Sequence, residues 1–357
     1  MSRPLNGCMG VVALPAHCAP AKPVVRRPGG CIRQRQRGAA LLAAMLTVTL
    51  VATFAAAAMW QQWRAVEIET AERGRVQSAW ILIGALDWSR LILREDARSG
   101  GADHLAEPWA VPLQEARLST FLAAEKNVSQ VDDASTDTTE AFLSGQISDL
   151  QGRLNIINLV ESGQVQAPAL RQFTRLFERL GLPIAQLNAM VDSLQRIRAG
   201  TGNPVSTAPL MPPTLSQLGW LGLTPATLVA LAPHVTLLPV RTPVNLNTAD
   251  IDVLLAAIDG LDSATADKIV QTRELQHFRT LVDVRNLVGT GFEIIESQHA
   301  VASSYFEVRG RLRLGDTMVD ERSLVRKQGL DVTTLWRERG AFDREQTSTS
   351  SDTLIRP

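Results

Sequence analysis

Past position 31 the chain has no cysteine. Its three cysteines, Cys8, Cys18 and Cys31, all fall within the first 38 of 357 residues. The main body therefore holds neither a disulfide nor a cysteine metal site. Acidic residues are missing from the same first 38 positions, which carry seven basic ones (Arg3, Lys22, Arg26, Arg27, Arg33, Arg35 and Arg37). The formal net charge of zero hides this asymmetry, because the rest of the chain has 29 basic and 36 acidic side chains, a net of −7. A nucleic-acid binder needs a basic footprint to displace counterions, so the body is poorly suited to that role. Catalytic signatures are missing too: there is no Walker loop, GxGxxG, GxSxG or HExxH. The five histidines (His17, His104, His234, His277, His299) are scattered, and none has a second histidine at ligand spacing. Each reads as a surface or satisfied core residue.

Charge is also absent from Gly38 to Trp63. The core of that run, residues 39–60, would span roughly 33 Å as a helix, enough to cross a bilayer. Arg33, Arg35 and Arg37 stand immediately before it, which keeps that end cytoplasmic and sends the body outward, into the periplasm of a bacterium. Three readings compete. One is a secretory signal peptide cut in the small residues at 55–59. A second is an uncleaved anchor. The third is a prepilin-type leader, a basic segment ending in glycine before about twenty apolar residues. Here the cut would fall between Gly38 and Ala39, where a bare backbone can extend into a protease. Most proteins with such leaders carry glutamate as the fifth mature residue. This chain has Ala43, which lacks the group used to dock beneath another subunit's terminus and suits a filament tip. The alternative is that Ala43 reports an ordinary anchor.

The helical pattern continues past the membrane. Val76, Ala79, Ile83, Leu86 and Leu93 keep helical spacing, with an end predicted near Arg98 and the Gly100–Gly101 pair. A turn-rich stretch, 100–112, precedes strands predicted at 114–122, 141–149 and 153–159, the last two joined as a hairpin by Leu150-Gln151-Gly152. The acidic stretch 131–140 reads as a solvated loop, since it lacks the glycine of an EF-hand. Residues 167–300 form a helical block. One apolar face is Leu170, Phe173, Leu176, Phe177 and Leu180, and Ile184, Leu187, Val191 and Leu194 start a second helix. Prolines forbid a continuous helix across 200–213. Short helices follow at 214–232 and 248–300. Strands resume from Ser303, with Phe306, Val308, Leu312 and Leu314 alternating. A turn at Gly315-Asp316 leads to strands at 318–326 and 330–337, and the polar tail carries no element.

Residues 244–278 resemble a helix-hairpin-helix, a DNA-binding element, with Asn247 as the predicted cap and Asp250 in the first turn. Asp262 stands where DNA-binding versions have a second glycine, and Asp259 adds another negative charge. An aspartate facing a phosphate repels it, so a packing role is favoured over binding. A membrane-anchored DNA-uptake protein remains the alternative of another class. A periplasmic enzyme is a third, for which the sequence offers no site.

Several stretches together resemble the minor pseudopilin K family of bacterial type II secretion systems. They are the RG/AALL junction, Ala43, DHLAEPWA (103–110), SGQISDLQGRLNIINL (144–159), VNLNTAD (244–250) and SSYFEV (303–308). The resemblance implies an α+β fold, in which a pilin-like long N-terminal helix packs on an antiparallel sheet and a large all-helical domain is inserted. The implied divisions are a leader at 1–38, a membrane helix at 39–63, pilin-like parts at 64–160 and 301–345, an inserted domain at 161–300 and a tail at 346–357. It further implies a non-enzymatic, single-pass inner-membrane protein facing the periplasm. Prepilin peptidase would cut between Gly38 and Ala39 and methylate Ala39. Its partners would be minor pseudopilins I and J, the pseudopilus and the inner-membrane secretion platform, with no nucleic acid. It would cap and initiate the filament that exports folded proteins. Family members often bind calcium through an acidic stretch after the second inserted helix. Here that place reads MVDSLQ (190–195), and most of the acidic oxygens are gone. Calcium needs six to eight oxygens, so no metal or other cofactor is carried over.

Overall fold

The computed structural model describes residues 37–120, 141–200, 210–315 and 317–340. The leader up to residue 36, the acidic stretch 131–140, most of the 200–213 loop, Asp316 and the tail from 341 lie outside the described residues. The chain divides into two units, one ending at Ile68 and one beginning at Glu69. A single helix, α1 (Arg37–Ser99), belongs to both. It stops where Gly100 and Gly101 adopt φ of +64° and +114°, a region open to glycine because it has no Cβ.

Within the second unit α1 buries Ser78, Leu82, Leu86, Ser89 and Leu93. These fall four, four, three and four residues apart, one stripe of a helix. The sequence pattern placed Val76, Ala79 and Ile83 on that stripe, yet Val76 is exposed and the other two are only half-buried. The two serines account for the rotation. Ser78 Oγ donates to Gly74 O at 2.8 Å and Ser89 Oγ to Ala85 O at 2.9 Å. Satisfied inside the helix, both hydroxyls enter the core without an unpaired polar group.

The stripe covers one five-stranded antiparallel sheet, ordered β1 (Leu113–Arg117), β2 (Ala141–Asp149), β9 (Tyr305–Leu314), β10 (Thr317–Gln328) and β11 (Asp331–Gly340). Leu82, Leu86 and Leu93 pack on Leu143, Ile147, Phe306, Val308, Leu312 and Val325. β2 occupies the predicted range, but β1 ends at Arg117, where a helical turn replaces the predicted strand at 118–120. The predicted hairpin at 150–152 does not form. Past Asp149 only Leu154–Asn155 is extended (β3), and Ile156–Leu159 is a 3-10 turn in which Asn155 Oδ1 accepts from Ile157 N at 3.2 Å. β3 pairs in parallel with β6 (Val235–Thr236), not with β2. A turn here would give β2 a neighbour on an edge that β9 already fills, Asp149 standing opposite Phe306.

Between β2 and β9 the chain builds a mainly helical block. Its helices are α2 (Ala167–Arg179), α3 (Ile184–Gly200), α4 (Pro225–Leu231), α5 (Ile251–Ala257), α6 (Ser263–Leu275) and α7 (Leu281–Val288). The face predicted on α2 is the buried one, and Phe173 and Phe177 meet Leu187 and Met190 of α3 and Leu254 of α5 in one core. Two-residue strand pairs tie the loops, β3 with β6, β4 (Val160–Glu161) with β5 (Gln164–Val165), and β7 (Val244–Asn245) with β8 (His299–Ala300).

Candidate functional site

Among the described residues, α1 is the helix long and apolar enough to cross a membrane. From Ala39 to Ile68 its side chains are exposed, including Leu41, Leu42, Leu46, Val51 and Phe54. Three hydroxyls lie in the run, and each finds an acceptor one turn back. Thr47, Thr49 and Thr53 donate to Ala44 O, Leu46 O and Leu50 O at 2.8, 2.9 and 2.8 Å. None of these three hydroxyls is thus left unpaired in lipid, where an unpaired polar group costs several kcal/mol. Trp60 and Trp63 close the run with ring centroids 5.3 Å apart, a pair suited to the headgroup region. Gly38, Ala39 and Ala43 all lie in the first two turns of α1, and Ala39 and Ala43, four residues apart, are both exposed.

A second site lies where the block leaves and rejoins the sheet. Its centre is Asp149, the last residue of β2, fully enclosed. One of its oxygens accepts from Ser303 Oγ (2.6 Å), Thr248 Oγ1 (2.6 Å) and Asn245 Nδ2 (3.0 Å), and the other from Gln151 N (2.7 Å). Burial pushes this carboxyl above its usual range, while the four donors pull it back. Asn245 Nδ2 also reaches Asp103 O at 3.1 Å, and Ser303 N donates to Asp103 Oδ2 at 2.7 Å. Gln151 completes the ring, its Oε1 accepting from Ser304 N at 2.6 Å and its backbone O from Asn245 N at 2.8 Å. Gly152 follows because a Cβ there would stand 2.8 Å from Thr248 Oγ1 and 3.1 Å from the Thr248 backbone. The stretches at 103–110, 144–159, 244–250 and 303–308, up to 200 residues apart, meet at this one buried network. The sequence alone assigns no role to Asp149, Asn245 or Ser303, and reads Gln151 only as part of a hairpin turn. The available signal was a set of polar residues at the ends of apolar strands.

The hairpin-like region differs from its prediction at the cap. Asp250, not Asn247, caps α5, accepting from Val253 N at 2.7 Å. Asn247 instead clasps the far end of the motif, with Phe278 N donating to its Oδ1 at 3.0 Å and its Nδ2 donating to Phe278 O at 2.9 Å. Asn247 lies two residues past the end of β7 and four before Ile251, too early to cap a helix that starts there. Asp262 caps α6 through Thr265 N at 2.9 Å, so its carboxylate occupies the amide that a phosphate would seek. The nearby cations are engaged inside the fold, Lys268 on Leu287 O (3.2 Å), Arg273 on Leu246 O (2.7 Å) and Arg175 on Asp259 (2.9 Å). Nothing in this geometry favours the DNA-binding reading.

The histidines divide. His299 is a satisfied core residue, accepting from Ile295 N at Nδ1 (3.0 Å) and facing Ala257 O with Nε2 (3.3 Å). His234 Nδ1 lies 2.8 Å from Asp250 Oδ2, and that carboxylate raises the imidazole above its ordinary 6.5 despite burial. The proton is therefore held more tightly in the folded state. Its stabilisation is complete below about pH 6.5 and is lost as pH rises through the raised value. A thermal-unfolding series over that range should show a falling midpoint that His234→Gln flattens. The difference is on the order of 0.5 kcal/mol, since Asp250 is partly solvent-screened.

At the end of α1 stand Asp96, Asp103 and Glu107, whose oxygens lie within 4.8 Å of one another. Their cation is supplied by the protein: Lys327 Nζ of β10 is 2.7 Å from Asp96 and also bonds Asp103. With an ammonium among these carboxylates, the cluster is an ion-pair network. At the calcium region of the resemblance, Asp192 is an exposed residue of α3 and the one carboxylate at 190–195. That donor set does not fit a calcium ion. His104 stacks on His277 of the helical block, centroids 3.7 Å apart and planes 10° off parallel. Trp109 sits edge-on to Phe306 at 5.1 Å. Beside it a cleft of about 240 Å³ runs between α1 and the 108–113 segment, lined by Leu82, Leu86, Ile92, Trp109, Leu143 and Ile147.

The regions bearing this network coincide with the matches to known proteins. Two family models, both for type II secretion system protein K, match residues 152–240 and 244–302. The protein K of Pseudomonas aeruginosa is 28% identical over 310 residues, 80% of this chain and 87% of that protein. These matches are all to type II secretion system protein K. The Klebsiella pneumoniae member is also 28% identical, over 342 residues, covering 87% of this chain and 98% of the relative. The fold is shared with a solved structure, the GspK–GspI–GspJ complex of enterotoxigenic Escherichia coli. There the TM-score is 0.54 at 18% identity, over 76% of this chain and 98% of that one. The family matches, the long N-terminal helix with its single apolar stretch and the antiparallel sheet are together those of a minor pseudopilin.

Proposed function

We propose that this protein is a non-enzymatic subunit that caps and initiates the pseudopilus together with minor pseudopilins I and J. In this reading residues 1–38 are a leader, prepilin peptidase cuts between Gly38 and Ala39, and Ala39 is methylated. Residues 39–63 then span the inner membrane once, with the amino terminus cytoplasmic and the body periplasmic. The filament meets the secretion platform below and carries folded proteins toward the outer membrane. The block at 161–300 is an insertion between the two pilin-like parts. Too bulky to stack within a thin fibre, it suits a tip.

The observation that carries the reading is the apolar face of α1 that stays exposed among the described residues. Val76, Trp80 and Leu91 are exposed, Trp80 at 69%, and Gly84 between them has no neighbour within 4 Å of where its Cβ would be. An apolar stripe with a small residue at its middle fits close approach of another helix. The shared fold was solved in a complex with I and J proteins. Co-expression of the full chain with its cognate I and J proteins, followed by affinity purification from detergent, tests the reading. The wild type should bring down both, and Trp80→Arg should reduce recovery about tenfold or more, the effect of losing a central aromatic anchor. Failure of the wild type to retain either partner would end the proposal.

A further inference from the structure

Four ionisable groups from three parts of the chain meet where α1 ends. Asp96 belongs to the last turns of α1, Asp103 and Glu107 to the turn that follows, and Lys327 to β10. One ammonium serves three carboxylates, and it bonds Asp96 and Asp103. Glu107 is left without it. Its Oε2 accepts from His104 N at 3.0 Å and Trp109 Nε1 at 2.6 Å, and an Asp96 carboxylate oxygen lies within 4.8 Å of one of its own. His104 is a weak counter-charge, since its Nε2 is 3.9 Å from Glu107, and burial, then the stacked His277, disfavour its protonated form against the pull of Asp96. These are the charged and titratable groups facing Glu107 among the described residues.

We propose that Glu107 is a proton-operated clasp: protonated, it shares its proton with Asp96 and holds the 103–110 turn against α1 and β9, and ionised, it confronts two carboxylates across one lysine and loosens the turn. The range of operation follows from the surroundings. Burial, and then the nearness of Asp96, outweighs the two N–H donors and raises Glu107 from 4.5 to about 7. Asp103 is raised as well, by burial, against Lys327 and the Ser303 amide. Burial opposes the charge on Lys327, but Asp103 and Asp96 prevail and hold it above the usual lysine value, so the ammonium persists throughout. A raised acid binds its proton more tightly when folded. The stabilisation is therefore complete below about 4.5 and gone once pH has passed about 7. The consequence extends beyond Glu107. Trp109 and Pro108 follow it directly and wall the apolar cleft under α1, so releasing the turn loosens that wall.

The test is hydrogen exchange at the backbone amides of 103–110, corrected for intrinsic rates, in the full-length protein in detergent between about pH 5.5 and 8.5. Wild type should exchange about tenfold faster above the transition than below it, with a midpoint near 7. Glu107→Gln, which cannot ionise, should be flat. Asp96→Asn removes the facing carboxylate and should move the midpoint down by roughly one pH unit. The His234–Asp250 pair titrates elsewhere in the chain and leaves these amides unchanged. An identical profile in Glu107→Gln, or an unmoved midpoint in Asp96→Asn, would overturn the clasp. So would protection restored at about pH 8.5 by millimolar calcium, which would make the cluster a cation site.

Discussion

Asp149→Ala will destabilise the protein by on the order of 3–5 kcal/mol, a large part of the 5–15 kcal/mol that holds a typical domain together. The residue is buried and accepts four hydrogen bonds, so alanine strands Ser303 Oγ, Thr248 Oγ1 and Gln151 N and leaves Asn245 Nδ2 without one of its acceptors. Each stranded donor loses its partner without regaining water. The loss is concentrated where the helical block joins the sheet, since Gln151 precedes the block, Ser303 follows it and Asn245 ties its interior to both. Urea unfolding of full-length protein in mild detergent gives the number. Asp149→Asn separates shape from charge. It keeps an acceptor for three donors but sets an amide against Gln151 N, and should fall between alanine and wild type. A cost for alanine near zero would mean that water enters the junction and replaces the carboxylate.

Gly38→Val should abolish maturation altogether. The cut proposed between Gly38 and Ala39 requires backbone to lie extended in the protease, and a β-branched side chain at that position blocks the approach. Intact mass of the wild type from membranes should correspond to a chain beginning at methylated Ala39, and the variant should retain its whole 38-residue leader. Removing prepilin peptidase should give the same result as the variant. A wild-type chain cut near residue 58, or not cut, would refute the processing and with it the tip-cap reading. Ala43 supplies an internal contrast, because Ala43→Glu alters neither Gly38 nor Ala39 and should leave the cut unchanged.

Much of this protein was legible in one dimension. The uncharged run from Gly38 to Trp63 predicts its helix because length and the absence of charge are properties of sequence alone. The alternation of Phe306, Val308, Leu312 and Leu314 predicts β9, and the spacing of Phe173, Leu176 and Phe177 predicts the buried face of α2. In each case one apolar face meets a core, and periodicity reports that directly. The errors have a common cause. The rotation of α1 was misplaced by serines that bond their own helix. The hairpin at 150–152 was inferred from a glycine that is there for close approach to Thr248, and the cap was given to Asn247, which serves Phe278. A polar side chain or a glycine takes its role from whatever lies opposite, and in these cases the neighbour is in another part of the chain or another turn of the helix.

The sequence by itself determined the long apolar helix, the absence of cysteine from the body, the order of helix, strand, helical block and strand, and the motifs that carry the family resemblance. These follow from local composition and period. Tertiary structure alone decided that four separated motifs converge on Asp149, that Lys327 sits among Asp96, Asp103 and Glu107, and that His104 lies on His277. The contacts that reach Asp149 from the other motifs, those of Lys327 and the stacked histidines join residues from 96 to 231 positions apart in the sequence. Folding brings them together only because β2 and β9 pair across the whole helical block, and no local pattern encodes that pairing.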